Sequence, residues 1–288
     1  MMRNLIRFDW AVKRLLRNKT NFGILEGFLS ELLGEDIKIE NILESETNKD
    51  YKEDKLTRVD LLVKNIKGEF IIIEVQNNRE HDYLHRILFG ASKLLIENLD
   101  SGMKYSEIKK VISVNIVYFD LGQGEDYIYH GKTSFIGLHK KDTLKLSHVQ
   151  QQLYKTDNIS KIYPEYYVIK VNQFNDIAKN TLDEWIYFLK KDEIKDEFKA
   201  KGLKQAKEQL DVLKLNDAER KEYAKFIEQI RYEESLIVSN YKVGKIEGQE
   251  EGSRTKAFEI ARNLINTGVS IDIIINTTGL SNEEISGL

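Results

Sequence analysis

Apolar and polar positions along the chain alternate with two periods. Leu5, Phe8, Val12, Leu15 and Leu16 recur at helical spacing, while Arg3, Arg7, Arg14 and Arg17 fall mostly on the other side, which predicts an amphipathic helix with a basic face. Asn21 can cap a second helix, whose apolar stripe is Phe22, Leu25, Leu29, Leu32 and Leu33, and Gly34 ends it. Over residues 56–63 the period falls to two: Val59, Leu61 and Val63 alternate with Arg58, Asp60 and Leu62, the mark of a strand that carries an acid on its second face. Asn65-Ile66-Lys67-Gly68 supplies turn chemistry. Residues 69–76 then resume as a strand, with Ile71, Ile73 and Val75 on one face and Ile72, Glu74 and Gln76 on the other. A hairpin follows from so short a turn.

From residue 82 to 99 the period is helical again, with Tyr83, Ile87, Ala91 and Leu94 on one stripe and Leu84, Leu88 and Leu95 beside it. Residues 111–119 (VISVNIVYF) form a nearly continuous β-favouring run, as expected of a central strand covered on both faces and parallel to the one before the helix. Further short strands are expected at 127–130, 134–138 and 166–171. The first 170 or so residues thus make an α/β unit, a mixed central sheet flanked by helices. After Asn175 only helical patterns remain, through Leu182, Trp185, Ile186 and Leu189, then Ala206, Leu210 and Leu213, then Tyr223 and Ile227. Gly244, Gly248 and Gly252 punctuate a charged stretch and read as a flexible or frayed hinge. Beyond it, Gly268 ends another helix, and Ser281 with Glu284 three residues on is a capping box. This tail reads either as a helix-turn-helix or as a helical docking hairpin. The expected division is a core at 1–174, a helical extension at 175–243 and a glycine-punctuated hinge with a small helical tail at 244–288.

Composition narrows the chemistry. The 288 residues contain no cysteine, which removes disulfides, thiolate zinc sites and cysteine nucleophiles together. Forty-four Lys plus Arg against 47 Asp plus Glu give a net charge of −3, so a surface for nucleic acid has to be local. The first twenty residues offer one, with Arg3, Arg7, Lys13, Arg14, Arg17 and Lys19 against Asp9; such a face can contact phosphates without reading sequence, or be a solvated helix surface. No stretch approaches the roughly 20 apolar residues of a membrane span, and the amino terminus lacks the apolar run of a leader, so a cytosolic protein without membrane partners is expected.

The constellation that carries chemistry is Asp60, thirteen intervening residues, then Glu74-Val75-Gln76, on two strands joined by a turn. Glu74 and Gln76, two apart, share a face, so two carboxylates and an amide can converge. Hard cations such as Mg²⁺ take oxygen ligands of this kind and activate water for attack on phosphorus. Acid pairs on hairpins are more often solvated edges or ion pairs. Here, however, Glu74 ends the apolar run Phe70-Ile71-Ile72-Ile73, where an unpartnered carboxylate is costly and a metal or basic partner is expected.

These residues resemble the PD-(D/E)xK nuclease motif, in the variant with glutamine at the lysine position that is typical of the Rpn (recombination-promoting nuclease, transposase-like) group. The likeness extends over LESETNK (43–49), KLTRVDLLVK (55–64), IIIEVQNNREHDYLHRILFGASKLL (71–95), KVISVNIVYFDLGQGEDYIYHG (110–131), IYPEYYVIKVNQF (162–174) and LDEWIYFLK (182–190), roughly residues 1 to 215. It implies a restriction-endonuclease-like core in which Asp60 and Glu74 bind Mg²⁺ or Mn²⁺, with the backbone carbonyl of Val75 as a further ligand. Gln76 departs from lysine: a neutral amide orients and hydrogen-bonds, and neither takes a proton nor offsets phosphate charge.

Arg86 and Tyr83 lie one helical turn apart after the motif strand. Arg86 is a candidate charge clamp on the scissile phosphate, with an ion pair to Asp82 or Glu80 as the plainer alternative. Glu26 and Glu46 are weaker candidates to assist the metal. His81 and His85 are spaced i, i+4 but lack the glutamate of HExxH, and Gly122-Gln123-Gly124 lacks the remainder of a phosphate loop, so neither zinc nor a nucleotide cofactor is indicated. Two readings of different class follow. One is a divalent-metal-dependent DNA endonuclease associated with recombination or mobile DNA, a homodimer through its long helices. The other is a catalytically inactive DNA-binding or scaffolding protein that keeps the nuclease fold.

Overall fold

A computed structural model describes residues 5–14, 22–43, 60–98 and 104–288. The chain divides into two compact units, Met1–Asn216 and Asp217–Leu288. The first opens with α1 (Phe8–Arg14) and α2 (Phe22–Leu33), the latter ended by Gly34 at φ 69°, followed by β1 (Ile39–Leu43), β2 (Leu61–Asn65), β3 (Phe70–Gln76), α3 (Tyr83–Glu97), β4 (Val111–Val117), β5 (Ile128–Gly131), α4 (His148–Tyr154), β6 (Glu165–Lys170), α5 (Thr181–Lys191) and α6 (Leu203–Gln209). The six strands form one mixed sheet in the order β1-β2-β3-β4-β6-β5. β2 pairs antiparallel with β3 across the expected turn, where Gly68 takes φ 80°. β4 runs parallel to both β3 and β6 and is buried at all seven positions, which is why its sequence is apolar but for Ser113 and Asn115, which are buried and hydrogen-bonded to each other.

The helix between β3 and β4 buries the stripe its periodicity foretold: Tyr83, Ile87, Ala91 and Leu94. Ala91 and Leu94 join Ile72 in one core cluster, so α3 covers the face of β3 to which Glu74 and Gln76 also belong by alternation. Leu84 and Leu88, beside the stripe, are exposed. Elsewhere in the unit Phe8 of α1 meets Phe28 of α2 and Trp185 and Phe188 of α5 edge to face, and the Phe28 and Trp185 rings lie tilted with centroids 5.4 Å apart. α2 also crosses α6 at close range through glycine: a Cβ on Gly27 would stand 2.3 Å from the Lys201 carbonyl oxygen. α5 and α6 are therefore part of the core unit, which closes at Asn216 rather than near residue 174.

Several local expectations give way to tertiary context. Residues 134–138 make only the isolated bridge Ile136–Thr143 and no strand; Ile136 and Leu138 stay exposed because no sheet edge receives them. Arg7 does not join a basic outer face. Its guanidinium turns inward to Asp9 (3.1 Å), which is fully buried, and to Asn77 (3.1 Å), and lies over the Tyr118 ring at 5.3 Å.

The second unit is built on α7 (Asp217–Asn266), 50 residues long, which runs unbroken through Gly244, Gly248 and Gly252. The frayed segment expected there is helix. Three glycines cost about 1 kcal/mol each relative to alanine, but no proline or turn pair breaks the Glu-, Lys- and Gln-rich run around them. Gly268 at φ 76° ends α7; α8 (Ile271–Thr278) and α9 (Asn282–Ser286) follow, separated by Gly279 at φ 72°. Both halves of the Ser281–Glu284 capping box form, and Ala261, Ile274, Leu280 and Ile285 make a small core among the three helices. No described helix is long and apolar enough to cross a membrane.

Candidate active site

β2 begins at Leu61, so half-buried Asp60 stands at its threshold rather than within it. The last pair of the hairpin ladder is Leu61 with Ile73; just past it the Val75 N–H donates to Asp60 Oδ2 at 2.8 Å. Successive residues of a strand point their backbone groups to opposite edges. Gln76 carbonyl accepts from Tyr118 N–H on the β4 side (3.0 Å), which directs the Val75 carbonyl toward the edge where Asp60 stands. Two carboxylates and a backbone oxygen are thereby offered at one end of the hairpin, since Glu74 precedes Val75 and is only 13 % exposed.

Glu74 lies 3.7 Å from Arg86 Nε, one turn into α3. The same guanidinium donates through Nη1 to both oxygens of Glu80, at 2.8 and 3.1 Å, and Gln76 Nε2 donates to Glu80 Oε1 at 2.7 Å and to the Asn78 carbonyl at 3.3 Å. Burial works against the charge of Arg86, but Glu74 and Glu80 outweigh it and hold the guanidinium above its ordinary pKa. Tyr83 has no accessible surface; its ring meets Phe119 edge to face at 5.7 Å, and its hydroxyl has no hydrogen-bond partner among the described residues. Burial first, then the negative field of Glu74, with Asp60 and Glu80 adding and Arg86 opposing, pushes that phenol far up and keeps it a neutral donor. Tyr83 thus faces the acids from within and does not form part of an outer surface for DNA.

Asp60, Glu74, Val75, Gln76, Tyr83 and Arg86 are brought together. Glu26 has separate work, since it accepts the Ile39 N–H at 2.9 Å and pairs with Lys38 at 3.1 Å to pin the start of β1. Arg14 is the last residue of α1; Glu46 and Arg17 lie outside the described residues. Among the described residues no group of three or more His, Asp and Glu side chains is disposed to hold a metal.

The ion pair of Arg86 with Glu80 that the sequence offered does form. Two contacts escape a reading of the sequence. Glu80 follows Gln76 by four residues in a turn, where spacing predicts no contact with the amide. Asn77, which donates to Asp9 Oδ2 at 2.9 Å and accepts from Arg7, ties the end of β3 to α1 across nearly 70 residues of sequence. Neither contact carries a local signal beyond polarity next to a motif.

Two family descriptions match the chain. One, PD-(D/E)XK nuclease family transposase, matches residues 6–239; the other, Rpn/YhgA-like nuclease family, C-terminal HTH domain, matches residues 254–288. No curated protein and no solved structure matches it.

Proposed function

The chain belongs to the PD-(D/E)XK nuclease family transposases and carries an Rpn/YhgA-like C-terminal helix-turn-helix domain, and we propose that it is a divalent-metal-dependent DNA endonuclease acting in recombination or on mobile DNA. The observation that carries the reading is the Asp60–Val75 contact, which sets one carboxylate against the backbone from which Glu74 projects. Asp60, Glu74 and the Val75 carbonyl would hold Mg²⁺ or Mn²⁺, ions that prefer such oxygen donors. The fit is supported by charge, because Glu74 and Glu80 share the Arg86 guanidinium and the fields of Asp60, Glu74 and Glu80 combine at Tyr83. It is supported also by the buried Tyr83 hydroxyl, which has no acceptor among the described residues and lies in the field of those acids. A bound ion lowers the pKa of water and offsets charge on the phosphate under attack.

The remaining tasks fall to the chain. Gln76 can orient a water but cannot deprotonate it. Arg86 supplies the fixed positive charge beside Glu74 that a phosphate oxygen requires. Tyr83, held neutral, remains a hydrogen-bond donor beneath the acids. DNA is the proposed partner, with the terminal helix-turn-helix adding contacts and a homodimer on the long helix presenting two sites to two strands; light scattering showing a monomer would remove the dimer.

One observation favours a second reading, a scaffold that retains the fold without cleavage: Gln76 replaces lysine, and both Gln76 and Arg86 are engaged with Glu80. Nicking of supercoiled plasmid with Mg²⁺, Mn²⁺ or EDTA separates the two. Metal-dependent nicking that disappears in Asp60→Asn supports the nuclease; intact plasmid in every lane, with no calorimetric binding of Mn²⁺, supports the scaffold.

A further inference from the structure

Glu80 lies between β3 and α3 with 29 % of its side chain exposed, and it is the point on which Gln76 and Arg86 converge. An ionised carboxylate only accepts hydrogen bonds, so the end of the Gln76 amide that meets Glu80 has to be the NH₂. The orientation of an amide is usually an inference from its surroundings; here the chemistry of the partner fixes it. Glu80 takes one N–H at 2.7 Å and the Asn78 carbonyl lies 3.3 Å from the same nitrogen. What Gln76 has left to offer is its Oε1, an acceptor, on the strand face it shares with Glu74.

We infer that Glu80 is the positioning residue of this site: by holding the NH₂ end of Gln76, it leaves the amide oxygen to accept a hydrogen bond from the attacking water. The inference rests on the nuclease reading and deepens it. A glutamine without an anchor samples three torsions and both amide orientations, and half of those orientations present a donor where an acceptor is required. Glu80 at the same time fixes Arg86 through Nη1, leaving Nε toward Glu74, so one side chain sets the geometry of two. The anchor is the counterpart of the glutamine, whose amide has a donor end and an acceptor end to select between; an ammonium at position 76 would have donors only and no such choice.

The test compares Glu80→Ala, Glu80→Gln, Gln76→Leu and the double variant Glu80→Ala/Gln76→Leu in the full chain. Plasmid nicking in Mn²⁺ gives kcat and KM, and proton exchange of the Gln76 side-chain NH₂ by NMR gives the anchoring without reference to activity; the NMR signal is assigned by its loss in Gln76→Leu. Glu80→Ala is expected to lower kcat on the order of 10- to 100-fold, the range that misplacement of a reacting group produces, with KM unchanged. It should also expose the Gln76 NH₂ to exchange, and when added to Gln76→Leu it should cause a smaller loss than it does alone, the remainder being what the release of Arg86 costs. Glu80→Gln, which keeps the volume and one acceptor oxygen, should fall between. Full kcat in Glu80→Ala, or losses that multiply in the double variant, would overturn the assignment while leaving the nuclease intact. Absence of nicking by the unaltered chain in every metal would overturn the nuclease, and with it any catalytic role for Glu80, even where the NH₂ remains protected.

Discussion

Asp60 accepts the Val75 N–H and, on the proposed reading, also holds the metal; two substitutions divide these duties. Asparagine keeps an oxygen that can accept the Val75 N–H and removes the charge; alanine removes both. A hydrogen bond to a charged acceptor contributes about 1.5–3 kcal/mol and a neutral one about 0.5–1.5. With Asp60 half-buried, Asp60→Ala should cost about 2 kcal/mol and Asp60→Asn under about 1, the more so because neutralising Asp60 relieves repulsion from Glu74 and Glu80 in EDTA. For a unit of this size (Met1–Asn216), 1 kcal/mol moves the melting temperature by about 2–4 °C. Scanning calorimetry in EDTA should therefore show Asp60→Ala lower by roughly 4–8 °C and Asp60→Asn by at most about 4 °C. Saturating the unaltered chain with Mn²⁺ at about 100 times its Kd adds about 2.7 kcal/mol, a rise of roughly 5–11 °C, and neither variant should show it. Persistence of that rise in Asp60→Asn would remove Asp60 from the metal site. Equal melting of the two variants in EDTA would mean that the Val75 contact contributes nothing.

Arg7→Ala takes the cation from beside the fully buried Asp9, leaving it only neutral donors such as Asn77, and should cost about 3–5 kcal/mol by urea denaturation, as removal of one partner from a buried pair does; unchanged stability together with weakened, salt-dependent DNA binding would restore Arg7 to an outer basic face. The glycines divide in the same manner. Gly27→Ala drives a methyl into the Lys201 carbonyl and should destabilise by about 1–3 kcal/mol. Gly248→Ala, with nothing within 4 Å of the added carbon, should stabilise α7 by about 1 kcal/mol in a thermal melt followed by circular dichroism. A loss at Gly248 would show that this face of the helix is packed against a partner.

Where side-chain period alone decides, the sequence and the structure agree: the hairpin of β2 and β3, the four-residue stripe of α3, the apolar β4 and the Ser281–Glu284 cap all follow from local pattern. The candidate site was legible for the same reason. Alternation puts Glu74 and Gln76 on one face, and the short turn brings Asp60 alongside. What could not be read depends on partners distant in sequence or lying in turns. Arg7 has the same helical spacing as a surface arginine, and partners distant in sequence, Asn77 at 70 residues and Tyr118 beyond it, help to turn it inward. Glu80 belongs to no periodic element. The glycines of α7 punctuate the sequence without interrupting the helix, because propensity is a sum over a window and three unfavourable residues do not outweigh fifty.

The substitution of glutamine for lysine poses an electrostatic question that the geometry around Glu80 helps to answer on the nuclease reading. A lysine at position 76 would bring a positive charge to the strand beside Glu74. In this chain the positive charge comes from the helix instead: Arg86 Nε stands 3.7 Å from Glu74, and Nη1 is fixed by Glu80. A lysine at 76 would meet Glu80 where the Gln76 amide now does, compete with Arg86 for its oxygens and spend its own charge on that pair. A neutral amide avoids the competition, since it satisfies Glu80 with one N–H and leaves the guanidinium its own contacts. Charge and orientation, which one lysine combines, are thus distributed over Arg86 and Gln76, and Glu80 is the residue that makes the division geometrically consistent. Glutamine at this position is on those grounds compatible with catalysis, provided that Glu80 and Arg86 accompany it.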